Sequence, residues 1–95
     1  MITAIVLVHV ESDRIPEVAE AIAELDGVSE VYSVTGDADL IAMVRVREHE
    51  ALADVIADRL SKVRGVEATE THIAFRTYSK HDLEAAFSLG TESAE

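Results

Sequence analysis

Two short runs of almost continuously apolar residues constrain most strongly how this chain can fold. They are Thr3 to Val10 and Leu40 to Val46, and both are rich in β-branched residues. A strand with one wet face alternates apolar and polar residues, whereas a strand covered on both faces is apolar throughout. We therefore predict that both runs are strands without a solvated face, and that the first lies at the centre of its sheet.

A segment with helical spacing follows each of these runs. The first helix is predicted to begin around Pro16, which a first helical turn tolerates, and to end near Asp26-Gly27. The second is predicted from about Glu48 to Lys62, before Gly65. Each has one apolar side, made of Ile15, Val18, Ile22 and Leu25 in the first helix and of Leu52, Val55, Ile56, Leu60 and Val63 in the second.

Two further strands are predicted, one after each helix. The first, Val28 to Val34, alternates in character, with Val28, Glu30, Tyr32 and Val34 on one face. A short connection through Gly36 joins this strand to the Leu40 run as an antiparallel hairpin. The last strand is predicted to be long, from Val66 to Tyr78.

The resulting order is strand, helix, strand, strand, helix, strand, which is the ferredoxin-like βαββαβ arrangement of an α+β fold. Asp26-Gly27-Val28 and Arg64-Gly65-Val66 occupy corresponding places in its two halves. Both helices cover one face of a four-stranded antiparallel sheet, so the apolar residues of the other face need a cover. We expect a second subunit there, in a dimeric assembly resembling an α/β barrel.

The composition excludes several classes of function. The 95 residues suffice for one domain, and a formal net charge of -11 with scattered cations argues against direct contact with nucleic acid. The absence of cysteine excludes disulfides and thiolate chemistry. The apolar runs are too short to span a bilayer and no signal peptide is evident, so we expect a cytoplasmic protein without membrane contact.

The connection between the second and third strands is the best candidate for a binding loop. It contains Gly36, Asp37 and Asp39, and a loop held by a sheet presents backbone N–H groups and carboxylates to a small polar ligand. An ordinary hairpin turn explains the same residues. Tyr32 and Ser33 flank the loop and are weaker candidates for the same pocket.

Thr69 and Thr71 on the last strand are spaced to share one face, where their hydroxyls can meet a ligand. Threonine also simply suits a half-buried strand, so both interpretations stay open. No catalytic constellation, cofactor motif or metal site is predicted, although His9 and His72 would approach each other if the first and last strands were neighbours.

Three stretches together resemble the effector domain of the Lrp/AsnC transcriptional regulators. They are Leu25 to Val28, Val31 to Leu40, and Gly65 to Thr71, and the resemblance extends from about Thr3 to Tyr78. It implies residues 1–78 as a ligand-binding domain, also called RAM, followed by a short helix and tail over 79–95. Because the first strand begins almost at Met1, we expect no DNA-binding element in this chain.

The resemblance implies a non-enzymatic domain that binds an amino acid or similar metabolite between subunits. Gly36, Asp37 and Asp39 match the family's loop, and Thr69 and Thr71 match its polar pair on the last strand. The family commonly has a larger residue at the position of Ala38. Homodimers, higher homo-oligomers and co-assembly with full-length regulators are the implied partnerships.

Two rival functions remain open at this point. One is a small cofactor-free monooxygenase or isomerase of the dimeric α/β-barrel type, with His9 or His72 as the acid–base group. The other is a purely structural assembly module. The fold alone does not separate these alternatives, because ferredoxin-like sheets carry many functions.

Overall fold

The computed structural model describes residues 1–80, and its elements follow the predicted order. A π-helical segment, Asp54–Arg59, and a 3-10 turn, Leu60–Lys62, continue the path of the second helix. No helix in this described part is long and apolar enough to cross a membrane. The elements are β1 (Ile2–Val10), α1 (Ile15–Ala23), β2 (Val28–Ser33), β3 (Leu40–Val46), α2 (His49–Ala53) and β4 (Val66–Ile73).

The four strands form one antiparallel sheet in the order β2-β3-β1-β4. β1 is hydrogen-bonded along both edges, to β3 from Ile2 to Val8 and to β4 from Ala4 to Val10. The prediction of a central first strand is therefore confirmed. Antiparallel pairing places residues opposite each other on the same face of the sheet, so the register assigns every side chain to a face.

One face of the sheet forms the core with the helices. Every second residue of β1 from Ala4 onward, and of β3, points to this face and is buried, because the helical segments pack against it. Val18, Ile22, Leu52, Val55 and Leu60 supply the helical side of the core. The buried strand residues are Ala4, Val6, Val8 and Val10 of β1, and Leu40, Ala42, Val44 and Val46 of β3.

The opposite face, which we call the open face, is apolar in the middle and charged at its edges. Leu7 lies opposite Ile41, and Ile5 lies opposite Met43, so four half-buried apolar side chains form a central patch. The other side chains that the register assigns to the open face are Thr3, His9, Glu30, Tyr32, Arg45, Ala68, Glu70 and His72.

The two halves of the chain return to the sheet through equivalent glycines. Gly27 follows α1 with a φ of +94°, and Gly65 follows the second helical segment with a φ of +104°. The Gly27 carbonyl accepts a hydrogen bond of 2.8 Å from the Arg45 N–H near the end of β3. The Gly65 carbonyl accepts one of 2.9 Å from the Glu11 N–H just after β1. Each half of the chain thus makes an equivalent backbone hydrogen bond from its glycine to the end of a strand.

Each of these glycines also lies directly against the helix of the other half. A Cβ on Gly27 would be 2.8 Å from Val55 Cγ2, and a Cβ on Gly65 would be 2.6 Å from Val18 Cγ2. Real Cβ atoms do not approach so closely, because a well-packed interior has no room for the overlap. The repeated Gly-Val pair in the sequence therefore marks an approximate twofold relation within the domain.

The second helical segment covers the predicted range but not with uniform geometry. Val55 and Leu60 are both buried although they are five residues apart, a spacing that an ordinary α-helix places on different sides. The π-helical turn is wider, and it lets both side chains enter the core. The predicted range and apolar side are confirmed, and the structure adds the change of helical geometry within that range.

The face assignment of β2 also differs from the prediction. Its register to β3 shifts between Val28 and Glu30, so that Val28 packs on the core while Glu30 and Tyr32 lie on the open face. The Ser29 hydroxyl donates a 3.1 Å hydrogen bond to the Met43 carbonyl at this bulge. The expectation that Val28 shares a face with Tyr32 was wrong, because strict alternation ends at a bulge.

The last strand is shorter than predicted and ends at Ile73 instead of Tyr78. The Ala74 N–H still donates to the Thr3 carbonyl at 2.9 Å. The pairing stops soon afterwards because β1, the partner strand, itself begins at Ile2. Phe75 and Tyr78 are 99% and 83% exposed. The helix predicted beyond Tyr78 falls on residues 81–95, which lie outside the described part of the chain.

Replacing Gly65 by alanine tests the close approach under α1. Gly65→Ala combines an unfavourable positive φ with a clash against Val18, whereas Gly36→Ala has a similar φ of +114° but meets nothing within 4 Å. We expect Gly36→Ala to cost about 1 kcal/mol of unfolding free energy and Gly65→Ala about 1–3 kcal/mol more.

Urea unfolding of both variants at the same protein concentration measures this difference. Equal losses of stability in the two variants would contradict the close contact between Gly65 and Val18. The cost of the positive φ is common to both positions, whereas the clash is expected only at Gly65.

Candidate functional site

The candidate binding loop, residues 34–39, lies at the end of the sheet where β1 finishes. Gly36 and Asp37 are exposed, and Gly36 requires glycine for its φ of +114° and not for lack of space. The loop therefore presents its backbone and the Asp37 carboxylate to the outside. This geometry suits both a simple turn and a ligand-facing loop.

Asp39 fixes the end of this loop to β1. Its N–H donates to the Val8 carbonyl at 3.0 Å, and its carboxylate Oδ2 accepts a 2.8 Å bond from the Val10 N–H. Its own carbonyl accepts from the Val34 N–H at 3.1 Å, which closes the loop. The regular β1–β3 register ends at Val8 and Leu40, so Asp39 continues the pairing with a side-chain oxygen where the backbone ladder stops.

This anchoring changes what Asp39 can offer to a ligand. One carboxylate oxygen is engaged by the backbone, and a bond from a neutral N–H to a charged acceptor contributes about 1.5–3 kcal/mol. The second oxygen remains to accept from a cation at the loop. Ala38 beside it is only 6% exposed, so the residue that departs from the common family pattern is packed inside the protein.

The remaining predicted site residues lie on different faces of the sheet. Thr69 and Thr71 lie opposite Val8 and Val6, which places both hydroxyls on the helix-covered face at the outer strand. They share one face, as their spacing predicts. Tyr32 lies opposite Ile41 on the open face and is 51% exposed.

A single chain does not gather these residues around one ligand. Ser33, Leu40, Val8 and Thr69 form one row across the sheet, with Ser33 and Thr69 at its two outer edges. Three strand spacings separate them, which corresponds to about 14 Å. Residues 1–80 also enclose no ligand-sized cavity. The predicted residues thus form two groups, one at the loop and one on β4.

The charged groups on the open face are mostly paired with each other. Arg45 Nη1 lies 3.0 Å from Glu30 Oε1, and this hydrogen bond is the main reason why the pKa of Glu30 is lowered from its ordinary value. His72 Nε2 lies 2.8 Å from Glu70 Oε2 on β4. Both pairs are solvent-exposed in one chain, so each contributes little to stability there.

β1 and β4 are neighbours, but the two histidines on them remain apart. His72 lies opposite Ile5, whereas His9 lies four residues farther along β1, a separation of about 13 Å. Within residues 1–80 no three potential metal ligands come together. The sequence named His9 only in connection with His72 or with acid–base catalysis, whereas the structure adds that its Nδ1 is buried without a hydrogen-bond partner.

Comparison with known proteins identifies the domain type. The family model described as the Lrp/AsnC ligand binding domain matches residues 3–83. An HTH-type transcriptional regulator of Pyrococcus furiosus is 38% identical over 72 residues, covering 76% of this chain and 49% of its own length. The chain therefore spans about half the length of such regulators.

Solved structures agree with this similarity. The crystal structure of TTHA0845 from Thermus thermophilus has a TM-score of 0.79 and 50% identity, covering 84% of this chain and 100% of that one. The feast or famine regulatory protein Rv3291c of M. tuberculosis, complexed with L-methionine, has a TM-score of 0.64 and 28% identity. That alignment covers 84% of this chain and 54% of the regulator.

Substitutions at Asp39 separate its structural role from a role in binding. Asp39→Ala removes the acceptor of the Val10 N–H and is expected to cost about 1–3 kcal/mol of unfolding free energy. Asp39→Asn keeps an oxygen acceptor and is expected to lose less than half as much. Thermal and urea unfolding of the two variants measure the difference, and equal destabilisation would contradict the anchoring role.

Proposed function

The chain belongs to the Lrp/AsnC ligand binding domain family, and from this premise we propose that it binds and senses an amino acid without catalysing a reaction. The observation that carries the proposal is the family match over residues 3–83 together with the exposed loop anchored by Asp39. The L-methionine complex of the related feast or famine regulator supports the class of ligand.

The chemistry of the loop suits an amino acid. An ammonium group needs acceptors, and the Asp37 carboxylate and the second oxygen of Asp39 lie on the same short segment. A carboxylate needs donors, which backbone N–H groups in a turn provide. Tyr32 lies at the outer strand of the open face beside this loop and supplies apolar contact with a polar tip.

The pocket itself is proposed to form between subunits. The described part of one chain has no enclosed cavity, and its open face carries a half-buried apolar patch that association would cover. A second copy placed on this face adds walls around the loop. It also brings a second copy of the loop and of the β4 threonines. The loop and the threonines of one chain therefore do not have to line the same pocket.

The regulatory role proposed for this domain is indirect. The net charge of -11 disfavours direct contact with nucleic acid, whereas the relatives that match are transcriptional regulators. We propose co-assembly with full-length regulators of the same family as the route to gene control, in the cytoplasm. The match to a ligand binding domain and to transcriptional regulators supports sensing over the monooxygenase or isomerase alternative.

A lysine in the centre of the open face tests subunit association. Leu7→Lys reduces the net negative charge, so a loss of association cannot be attributed to greater overall repulsion. A lysine ammonium buried between two apolar patches is strongly unfavourable, and Glu70 opposite Leu7 is already bonded to His72, so we expect the wild-type dimer or higher oligomer to become a monomer. Ala57→Lys on the exposed helical surface is the matched control and should leave the assembly intact.

Size-exclusion chromatography with light scattering measures the mass of each variant. A monomeric wild-type protein at micromolar concentration would contradict the proposed cover of the open face, and so would an unchanged oligomer in Leu7→Lys.

A thermal-shift screen with the twenty L-amino acids, including L-methionine, tests binding. We expect at least one amino acid to raise the Tm saturably, with a stabilisation of about 2.7 kcal/mol when its concentration is 100 times its Kd. Asp37→Asn should weaken that binding by on the order of tenfold, because a charged acceptor is lost. Asp58→Asn, an equal change of charge on the exposed helical surface, is the control.

The absence of saturable stabilisation by all twenty amino acids would contradict the proposed function. Equal affinities in Asp37→Asn and wild type would remove Asp37 from the site but leave the function standing.

A further inference from the structure

Within residues 1–80, three side chains that the register assigns to the open face carry nitrogen, and two of them are already paired. Arg45 is bonded to Glu30 at 3.0 Å, and His72 to Glu70 at 2.8 Å. The third is His9, on the strand at the centre of the sheet. The side chain of His9 makes no hydrogen bond to any described residue, although it is half-buried and its Nδ1 is inaccessible to water.

His9 lies at the same end of the sheet as the candidate loop. It follows Val8, whose carbonyl accepts the Asp39 N–H, and precedes Val10, whose N–H donates to the Asp39 carboxylate. On the other side it lies opposite Ala68 of β4, a small residue that leaves room next to the imidazole. Arg45 lies opposite Thr3, six residues from His9 and about 20 Å away along β1.

The two ring nitrogens differ in what they can do. Nδ1 is buried and has no acceptor nearby, so a proton on this atom would be an unsatisfied donor. A proton on Nε2 can instead reach a partner on the open face, so the tautomer with Nε2–H is the one suited to binding there. An N–H donor at this place is complementary to an anionic oxygen.

We propose that His9 contacts the ligand and that its Nε2–H donates a hydrogen bond to the α-carboxylate of the bound amino acid. The inference rests on the proposed function and adds to it the residue that recognises the acid group. The loop carboxylates Asp37 and Asp39 suit the ammonium end and repel an anion, so the backbone N–H groups of the turn need a further donor beside them to hold the ligand carboxylate. Among the described nitrogen-bearing side chains of the open face, His9 is the one that is not already paired and that adjoins the loop.

The experiment compares each L-amino acid with its α-carboxamide, which lacks the negative charge. The ratio of the two affinities is measured within one protein, so it does not depend on how much of a variant is assembled. We expect wild type to bind the amino acid about tenfold or more tightly than its amide, because the amide loses the hydrogen bond to a charged group. His9→Phe keeps the ring shape without nitrogen and should reduce the preference to about twofold or less.

His9→Gln places an amide N–H near the position of Nε2 and should retain part of the preference. His72→Leu, which removes the paired histidine of the same face, should leave the preference unchanged. Light scattering reports whether each variant keeps the wild-type assembly. If the phenyl ring of His9→Phe prevents assembly, His9→Leu is used in its place.

The outcomes separate this inference from the proposed function. An unchanged acid-over-amide preference in His9→Phe or His9→Leu would overturn the role of His9 while leaving amino-acid binding in place. Reduced preference in His72→Leu to the same extent would overturn it as well, because the effect would then belong to the whole face. If no amino acid stabilises the wild-type protein, the proposed function fails, and the role of His9 fails with it.

Discussion

The rest of the structure depends on the pairing of β1 with a neighbouring strand along both of its edges. Its backbone is hydrogen-bonded to β3 on one edge and to β4 on the other, so its backbone polar groups are largely satisfied by neighbours. Its alternate residues, Val6 and Val8 among them, form the core with the helices. The other residues, Ile5 and Leu7, face away from the helices and create the apolar patch for which a second subunit is proposed.

The approximate twofold relation explains how the two halves of the chain fit together on one sheet. Gly27 and Gly65 each pass beneath the helix of the opposite half, and each offers its carbonyl to the strand that ends beside it. A side chain at either position would push a helix away from the sheet. The two halves are thus held in register by contacts that only glycine permits, and the core between them depends on that register.

The candidate site uses the same strand that organises the fold. Asp39 holds the loop to β1 through the Val8 carbonyl and the Val10 N–H, and His9 lies between these two anchoring points. The loop and the backbone of His9 are therefore held next to each other by one strand. A ligand at this end of the sheet would not have to order the loop backbone, which lowers the entropy cost of binding.

Several features of this site were accessible from the sequence because they depend on local spacing. The positions of the loop, of Gly36 and of the shared face of Thr69 and Thr71 all follow from the alternation of strands and the turn chemistry. Alternation does not say which face is the covered one, and both threonines lie on the helix side. The bulge at Ser29 likewise reverses the face of Val28, since it depends on pairing with β3.

The sequence by itself determined the order of the elements, the centrality of the first strand and the presence of two apolar sheet faces, because hydrophobic periodicity is written along the chain. Only the tertiary structure decided the wide π-helical turn that buries Val55 with Leu60, the anchoring of Asp39 on Val10 and the unpaired state of His9. The π-helical turn follows from packing of its segment against the sheet, and the other two features depend on segments that are distant in sequence, so all three exist only once strand register and helix packing are in place.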